Sequence, residues 1–197
     1  MGDTDHISDE IVLKNVLQGD REAFGQLVTK YQQMIFRTCV GFVHNEDDAN
    51  DLTQEVFVQA FLSIEKFRGE SSFPTWLYRI AVNASLVRLR KNKTTSLFSR
   101  IDDLFQKSKS GVYEVSIPDI DDPETIIIRE EHKEWVRIAL DQLPENQKTA
   151  IVLSKYDELS QKEIAQIMQI TEGAVEALLV RAKANLRKNL LNNQKKK

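Results

Sequence analysis

The sequence predicts an all-α chain: two helical domains joined by a flexible acidic linker, the C-terminal one containing a helix-turn-helix. Three observations carry that expectation. Apolar residues recur at helical spacing in nearly every periodic segment, and no stretch alternates convincingly as a strand would. Periodicity fails over residues 94–121, which hold Ser, Lys, Asp, Gly111, Pro118 and an acidic run from Asp119 to Asp122. A structureless segment of that length is uncommon inside one compact domain. Near the end of the chain, two helix starts stand a few residues apart, each with a side-chain cap. The expected division is therefore 1–93, a linker at 94–122, and 123–197.

Four helices are expected in the first domain, at about 8–18, 20–44, 46–66 and 73–92. The third carries Asp48, Asp51 and Glu55 at i, i+3 and i+7, an acidic stripe that reads first as a solvated face. Between the third and fourth lies Arg68-Gly69-Glu70-Ser71-Ser72, a polar turn flanked by Phe67 and Phe73. Pro74 suits the first turn of the fourth helix, where its missing N–H is harmless. At about 100° per residue, Trp76, Arg79, Asn83 and Arg90 share one face, while Leu77, Ile80, Ala84 and Val87 share another that can serve as core. Aromatic faces stack on unpaired bases and guanidinium groups hold phosphates, so the interleaved aromatics and arginines suggest a grip on single-stranded or flipped-out nucleic acid. The basic run Arg88 to Lys91 follows them. A short turn entering an amphipathic helix with aromatics in its core accounts for the same residues.

Helical pattern resumes near Pro123, runs through Trp135 and Leu140, and breaks at Leu143-Pro144; another helix reaches about Tyr156. Ser160 and Glu163 then form a capping box, with Leu159 and Ile164 as its hydrophobic staple. Thr171 caps a second helix, with Ile170 and Val175 as its staple. Two capped helices so close together make a helix-turn-helix. Val175, Leu178, Leu179, Ala182 and Leu186 form the apolar stripe of its second helix, leaving Ala177, Val180, Arg181, Ala184 and Lys188 outward. Small residues and cations on that face suit entry into a DNA major groove, and an ordinary helical hairpin suits the spacing as well.

Composition bounds the rest. The chain has 197 residues and a formal net charge of −3. Residues 1–93 hold 11 basic and 13 acidic side chains, 94–124 hold 3 and 7, and 125–197 hold 13 and 10. The positive excess thus gathers at the C-terminal end, where phosphate contact would need it. No apolar run approaches bilayer length and the acidic start, Met1 to His6, lacks an apolar signal core, so a cytoplasmic protein without stable membrane insertion is expected. Cys39, the single cysteine, lies on an apolar helical stretch and reads as core. His6, His44 and His132 are isolated along the chain and read as surface residues. With no glycine-rich phosphate loop, metal-ligand cluster or nucleophile–base pairing, the expectation is no catalytic residue, no metal and no cofactor.

Taken together, the chain resembles the extracytoplasmic-function group of sigma factors of bacterial RNA polymerase. Asp20-Arg21-Glu22-Ala23-Phe24 with Tyr31 is similar to the start of that family's first conserved region. Asp48 to Phe57 resembles its core-polymerase-binding helix, Phe67 to Asn83 its promoter-melting region, and Leu143 to Gln147 with the helix-turn-helix its C-terminal DNA-binding domain. The resemblance implies that Asp48, Asp51, Gln54 and Glu55 face the clamp of the polymerase's largest subunit, with Leu52 at the apolar centre, and that the second domain meets the flap region. It implies minus-ten contacts from Phe67, Arg68, Ser71, Ser72, Phe73, Trp76, Arg79, Asn83, Arg88, Arg90 and Lys91. It implies minus-thirty-five contacts from Thr171, Glu172, Gly173, Glu176, Ala177, Val180, Arg181, Lys183 and Lys188. The implied partners are core RNA polymerase, promoter DNA both duplex and single-stranded, and an anti-sigma factor; the acidic linker would thread the polymerase channel that later carries RNA.

Two departures stand out. Many family members follow the recognition-helix valine with Lys or Arg, then Ser and Arg, where this chain has Glu176-Ala177-Leu178 after Val175. Glu176 would instead accept a hydrogen bond from cytosine. A glycine common in the turn is replaced by Gln169. A conventional repressor or activator would use the helix-turn-helix but leave Asp48–Glu55 and Phe67–Asn83 without work; a purely protein–protein adaptor would have no need of Arg181 and Lys188.

Overall fold

The computed structural model describes residues 8–102 and 134–194, with the side chains of 8–92 and 134–193. Among the described residues every regular element is helical. The first half contains α1 (Asp9–Leu17), α2 (Arg21–Val43), α3 (Glu46–Leu62) with a single 3-10 turn at Ile64–Lys66, and α4 (Phe73–Asp102). The second contains α5 (134–141), α6 (Glu145–Lys155), α7 (Gln161–Met168) and α8 (Glu172–Gln194). The fourth helix was expected to end near 92; it continues through 94–102, residues assigned to the linker. The rest of that linker, and the helical pattern expected to resume at Pro123, lie outside the described residues.

Local chemistry sets the helix starts. Ser8 Oγ accepts from the Glu10 N–H at 3.3 Å. Asp20 accepts from Glu22 and Ala23 at 3.0 and 3.1 Å, and Asn45 from Asp48 at 2.8 Å. Each such cap contributes about 1 kcal/mol by satisfying a donor the helix cannot. Ser72 opens α4, accepting from the Thr75 N–H at 3.3 Å, and Pro74 follows inside the first turn.

Two apolar clusters hold the molecule. Leu27, Ile35, Cys39, Leu52, Val56, Leu77 and Ala81 lie at the centre of the first, inside α1–α4. The second gathers Leu140, Leu143, Val152, Leu153, Ile164, Val175 and Leu179 from α5–α8. It also takes Phe42 from the end of α2 and Tyr78 and Val82 from α4. The two halves are therefore packed on each other. Tyr78 lies one residue, about 100°, from Leu77, so α4 buries two neighbouring faces. Only one core face was expected on α4; Tyr78, Val82, Leu86 and Leu89 pack on a second, while Val87, assigned to core, is 44 % exposed.

Gly41 marks the closest approach. A Cβ at this position would lie 2.7 Å from Val152 Cγ1 and 3.0 Å from the Tyr156 ring. The glycine sits inside α2, where alanine would favour the helix by about 0.5–1 kcal/mol; its use here goes with the seating of α6.

Candidate nucleic-acid and protein interfaces

On α3, Asp51, Gln54 and Glu55 are exposed and Asp48 is half-buried in the first turn. Leu52 is a correction: it is 0 % exposed and belongs to the first core, so it cannot centre an external contact. The apolar residues that continue the exposed stripe are Val58 and Leu62, at 58 % and 76 % exposure. Positions 51, 55, 58 and 62 follow helical spacing, so the sequence carried this signal; bare apolar side chains were not distinguishable there from core.

Phe67, Phe73 and Trp76 form a triangle with ring centroids 5.4–5.8 Å apart. Tyr31 joins it at 5.7 Å from Phe73. Phe73 is 3 % exposed, and Phe67 and Trp76 are half-buried against the first core. These rings support the loop from beneath; Phe73 is not available to stack on a base. The loop itself, Arg68 to Ser72, stands out, with Gly69 at φ +72°, a conformation glycine tolerates best. Beside it is an open cleft of about 350 Å³ lined by Leu13, Lys14, Leu17, Phe67 and Gly69. Sequence reasoning gave α1 no part in this site. Tyr31 OH and Lys30 both bond Asp9, tying α1 to α2 beside it.

The arginines of α4 point elsewhere than expected. Arg79 Nη2 donates to the Gln166 carbonyl of α7 at 2.9 Å. Arg90 Nε and Nη2 both donate to Glu145 at the start of α6, each at 2.8 Å. Asn83 and Lys91 are exposed and Arg88 is half-buried.

Other polar contacts join the halves. Lys148, 3 % exposed, donates to the Phe42 carbonyl at 2.9 Å and to Asp141 at 2.6 Å. An ammonium at the end of α2 complements its terminal carbonyls. His44, expected on the surface, packs with Nε2 3.3 Å from Asp141 Oδ1; His6 and His132 lie outside the described residues. Burial works against the Asp141 charge, but His44 and Lys148 outweigh it and hold the carboxyl down at about 2. Thr38 donates to Asp157 at 2.9 Å. Burial pushes Asp157 up to about 6, against the opposing pull of Thr38 and the nearby Arg37.

The helix-turn-helix follows its local chemistry closely. Glu163 accepts from the Ser160 N–H at 2.9 Å while Ser160 Oγ accepts from the Glu163 N–H at 3.3 Å. Thr171 caps α8 through the Ala174 N–H at 3.2 Å. Gln169 is left-handed, φ +56°, at the turn. On α8, Val175, Leu179 and Ala182 are buried, with Leu178 and Leu186 half-buried beside them. Thr171, Glu172, Gly173, Glu176, Ala177, Val180, Arg181, Lys183 and Lys188 are all exposed. Arg181 Nε folds back to donate to the Ala177 carbonyl at 3.0 Å. The helix is 23 residues long.

Comparison with known proteins places both halves. Residues 27–95 match the family model for Sigma-70 region 2, and residues 133–186 match that for Sigma-70, region 4. The chain is 34 % identical over 186 residues to the RNA polymerase sigma-H factor of Pseudomonas aeruginosa, covering 92 % of this chain and 93 % of that protein. It is 36 % identical over 182 residues to the ECF RNA polymerase sigma-E factor of Haemophilus influenzae, covering 91 % and 93 %. Among solved structures, its fold is similar to CnrH in complex with the cytosolic domain of CnrY: TM-score 0.61, 24 % identity, covering 94 % of this chain and 97 % of that one. It is also similar to the sigma factor RpoE in complex with the anti-sigma factor NepR from Bartonella quintana: TM-score 0.59, 20 % identity, covering 85 % and 96 %.

Proposed function

The chain belongs to the extracytoplasmic-function (ECF) sigma factors of bacterial RNA polymerase, and from that premise we propose which of its residues do the family's work. It is an initiation factor, not an enzyme. It binds core RNA polymerase and directs promoter-specific transcription, reading and melting the minus-ten element with its first half and reading the minus-thirty-five element with its helix-turn-helix. Two region matches in order along one chain carry that conclusion. The domain limits we propose are 1–93, 94–122 and 123–197, with α4 running on into the linker; the acidic linker then occupies the RNA channel.

Core polymerase docks on the exposed face of α3. Asp51, Gln54 and Glu55 form its polar part, with Asp48 at the edge, and steer encounter with a basic surface of the largest-subunit clamp. Val58 and Leu62 form the apolar anchor; their exposure supports this assignment, since a burial site for large side chains usually carries most of the binding energy.

Melting needs no hydrolysis. A loop that binds the unpaired strand better than the duplex shifts the equilibrium toward the open form. The cleft between α1 and Phe67–Gly69 accepts a base flipped from the stack. Ser71 and Ser72 supply hydroxyls, Phe73 and Trp76 brace the loop from below, and Arg68, Arg79, Asn83, Arg88, Arg90 and Lys91 hold the strand. On α8, Arg181, Lys183 and Lys188 meet phosphates or guanine; Val180 and Ala177 offer apolar contact to thymine methyls, and Glu176 accepts from cytosine. Thr171, Glu172 and Gly173 lie at the groove-entering end. An anti-sigma factor completes the partners, and the work is done in the cytoplasm.

Run-off transcription with purified core polymerase and a promoter-length DNA pool tests this reading. Transcripts should require the protein, start at defined sites, and vanish with Leu62→Asp or Asp51→Ala. No stimulation, together with tight duplex binding in the absence of polymerase, would contradict it.

A further inference from the structure

Residues 27–95 carry the match to region 2, so α1 precedes the matched span, yet it builds one wall of the cleft beside the loop. Glu10, Leu13, Lys14, Leu17 and Gln18 line that wall at i, i+3, i+4, i+7 and i+8, one face of the helix. Within that face the residues are sorted: Leu13 and Leu17 lie along one edge, and Glu10, Lys14 and Gln18 along the other. Phe67 and Gly69 complete the lining. A Cβ on Gly69 would meet nothing within 4 Å, so the space beside that residue is open. The two sides are fixed to each other. Asp9 of α1 bonds Tyr31 and Lys30 of α2, the Tyr31 ring packs on Phe73, and Phe73 packs on Phe67, with centroids 5.7 and 5.8 Å apart. A ligand entering the cleft thus meets an apolar strip, an aromatic ring and a preformed row of polar groups.

Glu10 and Lys14 stand one helical turn apart, with Cβ atoms roughly 5–6 Å from each other, a spacing that suits an ion pair. Among the described residues neither side chain takes a partner, and both are exposed at the cleft. One supplies an acceptor and the other a donor. The pairing edge of a base is ordered in the same terms. Adenine and cytosine present an amino donor beside a ring-nitrogen acceptor; guanine and thymine present a carbonyl acceptor beside an N–H donor. We propose that α1 sets base specificity at this cleft: Glu10 and Lys14 read the Watson–Crick edge of the flipped base and separate amino bases (adenine, cytosine) from keto bases (guanine, thymine). The direction of the strand fixes which group meets Glu10. One class then satisfies both side chains. The other sets carboxylate against carbonyl and ammonium against N–H, and is rejected. Leu13, Leu17 and Phe67 bear on the faces of the ring, which every base has, and hold either class alike. Both assignments rest on the reading of the cleft as the flipped-base site.

The test uses holoenzyme assembled from the full chain and core polymerase. Promoter DNA randomised across the minus-ten element is bound, recovered and sequenced. 2-Aminopurine placed beside each minus-ten position in turn reports, by its fluorescence, which base leaves the stack. At that position the wild-type protein should prefer one class about tenfold. The double variant Glu10→Lys with Lys14→Glu should reverse the preference by a similar factor and leave the other positions unaltered. Glu10→Gln with Lys14→Gln, whose amides both donate and accept, should level it. A flipped base with no class preference in the wild type, or with the same preference in all three proteins, overturns the role of α1 and leaves the flipped-base reading standing. If no position brightens, the flipped-base reading fails and the role of α1 with it. If the charge-reversed chain does not fold, the paired Gln variant decides: an unchanged preference overturns the proposal.

Discussion

The two long cation-bearing helices, α4 and α8, present their cations in opposite ways. On α8, Arg181, Lys183 and Lys188 stand exposed, and the buried residues Val175, Leu179 and Ala182 form one stripe. On α4, Leu77 and Ala81 face one core while Tyr78 and Val82 face another, and Arg79 and Arg90 are held by α7 and α6. A helix with one apolar stripe leaves its far side to solvent. A helix with two gives up that side to whichever partner covers the second stripe. The face proposed to read duplex is thus displayed, and the face proposed to hold the single strand is packed against the second half.

The largest expected effect strikes the support of the covered face. Phe73→Ala should destabilise the chain by about 3–5 kcal/mol, because a fully buried ring leaves a cavity that close packing fills poorly. Thermal melts check this. A loss below about 1 kcal/mol would mean that the Phe67–Phe73–Trp76 triangle is not what holds the loop.

Next comes pH, which acts on the contact between the halves through Asp157 and Asp141. Asp157 ionises near 6 when packed against Thr38 and Tyr78, compared with 3.8 in its ordinary state. Between those values the closed form keeps a proton that an opened form releases. Closure therefore weakens as the pH rises from about 4 through 6, by up to about 3 kcal/mol. Asp141, held down at about 2, acts in the opposite sense: its contribution is present above 3.8 and is lost as the pH falls toward 2. Scattering should show the most compact chain near about pH 4. Asp157→Asn should flatten the limb between 4 and 7; an unchanged slope would assign the dependence to other groups.

The displayed face gives a smaller, cleaner effect. Arg181→Ala should weaken duplex promoter binding by polymerase holoenzyme by about 1–3 kcal/mol if it reads a guanine, and should leave single-strand binding unaltered. Equal losses on both kinds of DNA would break the division of labour between α8 and α4. Smallest is Gln169→Gly, which removes a left-handed side chain from the turn that seats α8 and should stabilise the chain by about 1 kcal/mol in denaturant titration. No gain would show the turn already relieves that strain.

What the sequence disclosed divides along the same line. The caps at Ser160 and Thr171 depend on neighbours three residues away, and the α8 stripe depends on one partner surface, so local pattern sufficed. The replacement of the family's turn glycine by Gln169 stood in the sequence; its left-handed backbone comes from the structure. Tyr78 and Val82 were harder because what buries them, Leu153 and Ile164 among others, lies some seventy or more residues along the chain. Arg79 and Arg90 were placed on a polar face, but a sequence does not show that a carbonyl and a carboxylate from the other half hold them. Leu52 was misplaced because it sits one residue from Asp51, about 100° around the helix, which takes it from the surface into the core. Val58 and Leu62 escaped notice because an apolar residue at helical spacing reads as buried unless the structure shows otherwise.

The most direct test of this account is energy transfer between dyes at Asn15→Cys on α1 and Lys162→Cys on α7, with native Cys39 buried and unlabelled. The protein alone should give one short distance, and adding core polymerase should convert it to a longer one before promoter DNA is supplied. A holoenzyme that transcribes while keeping the short distance would contradict the claim that the strand-reading face is covered and must be released.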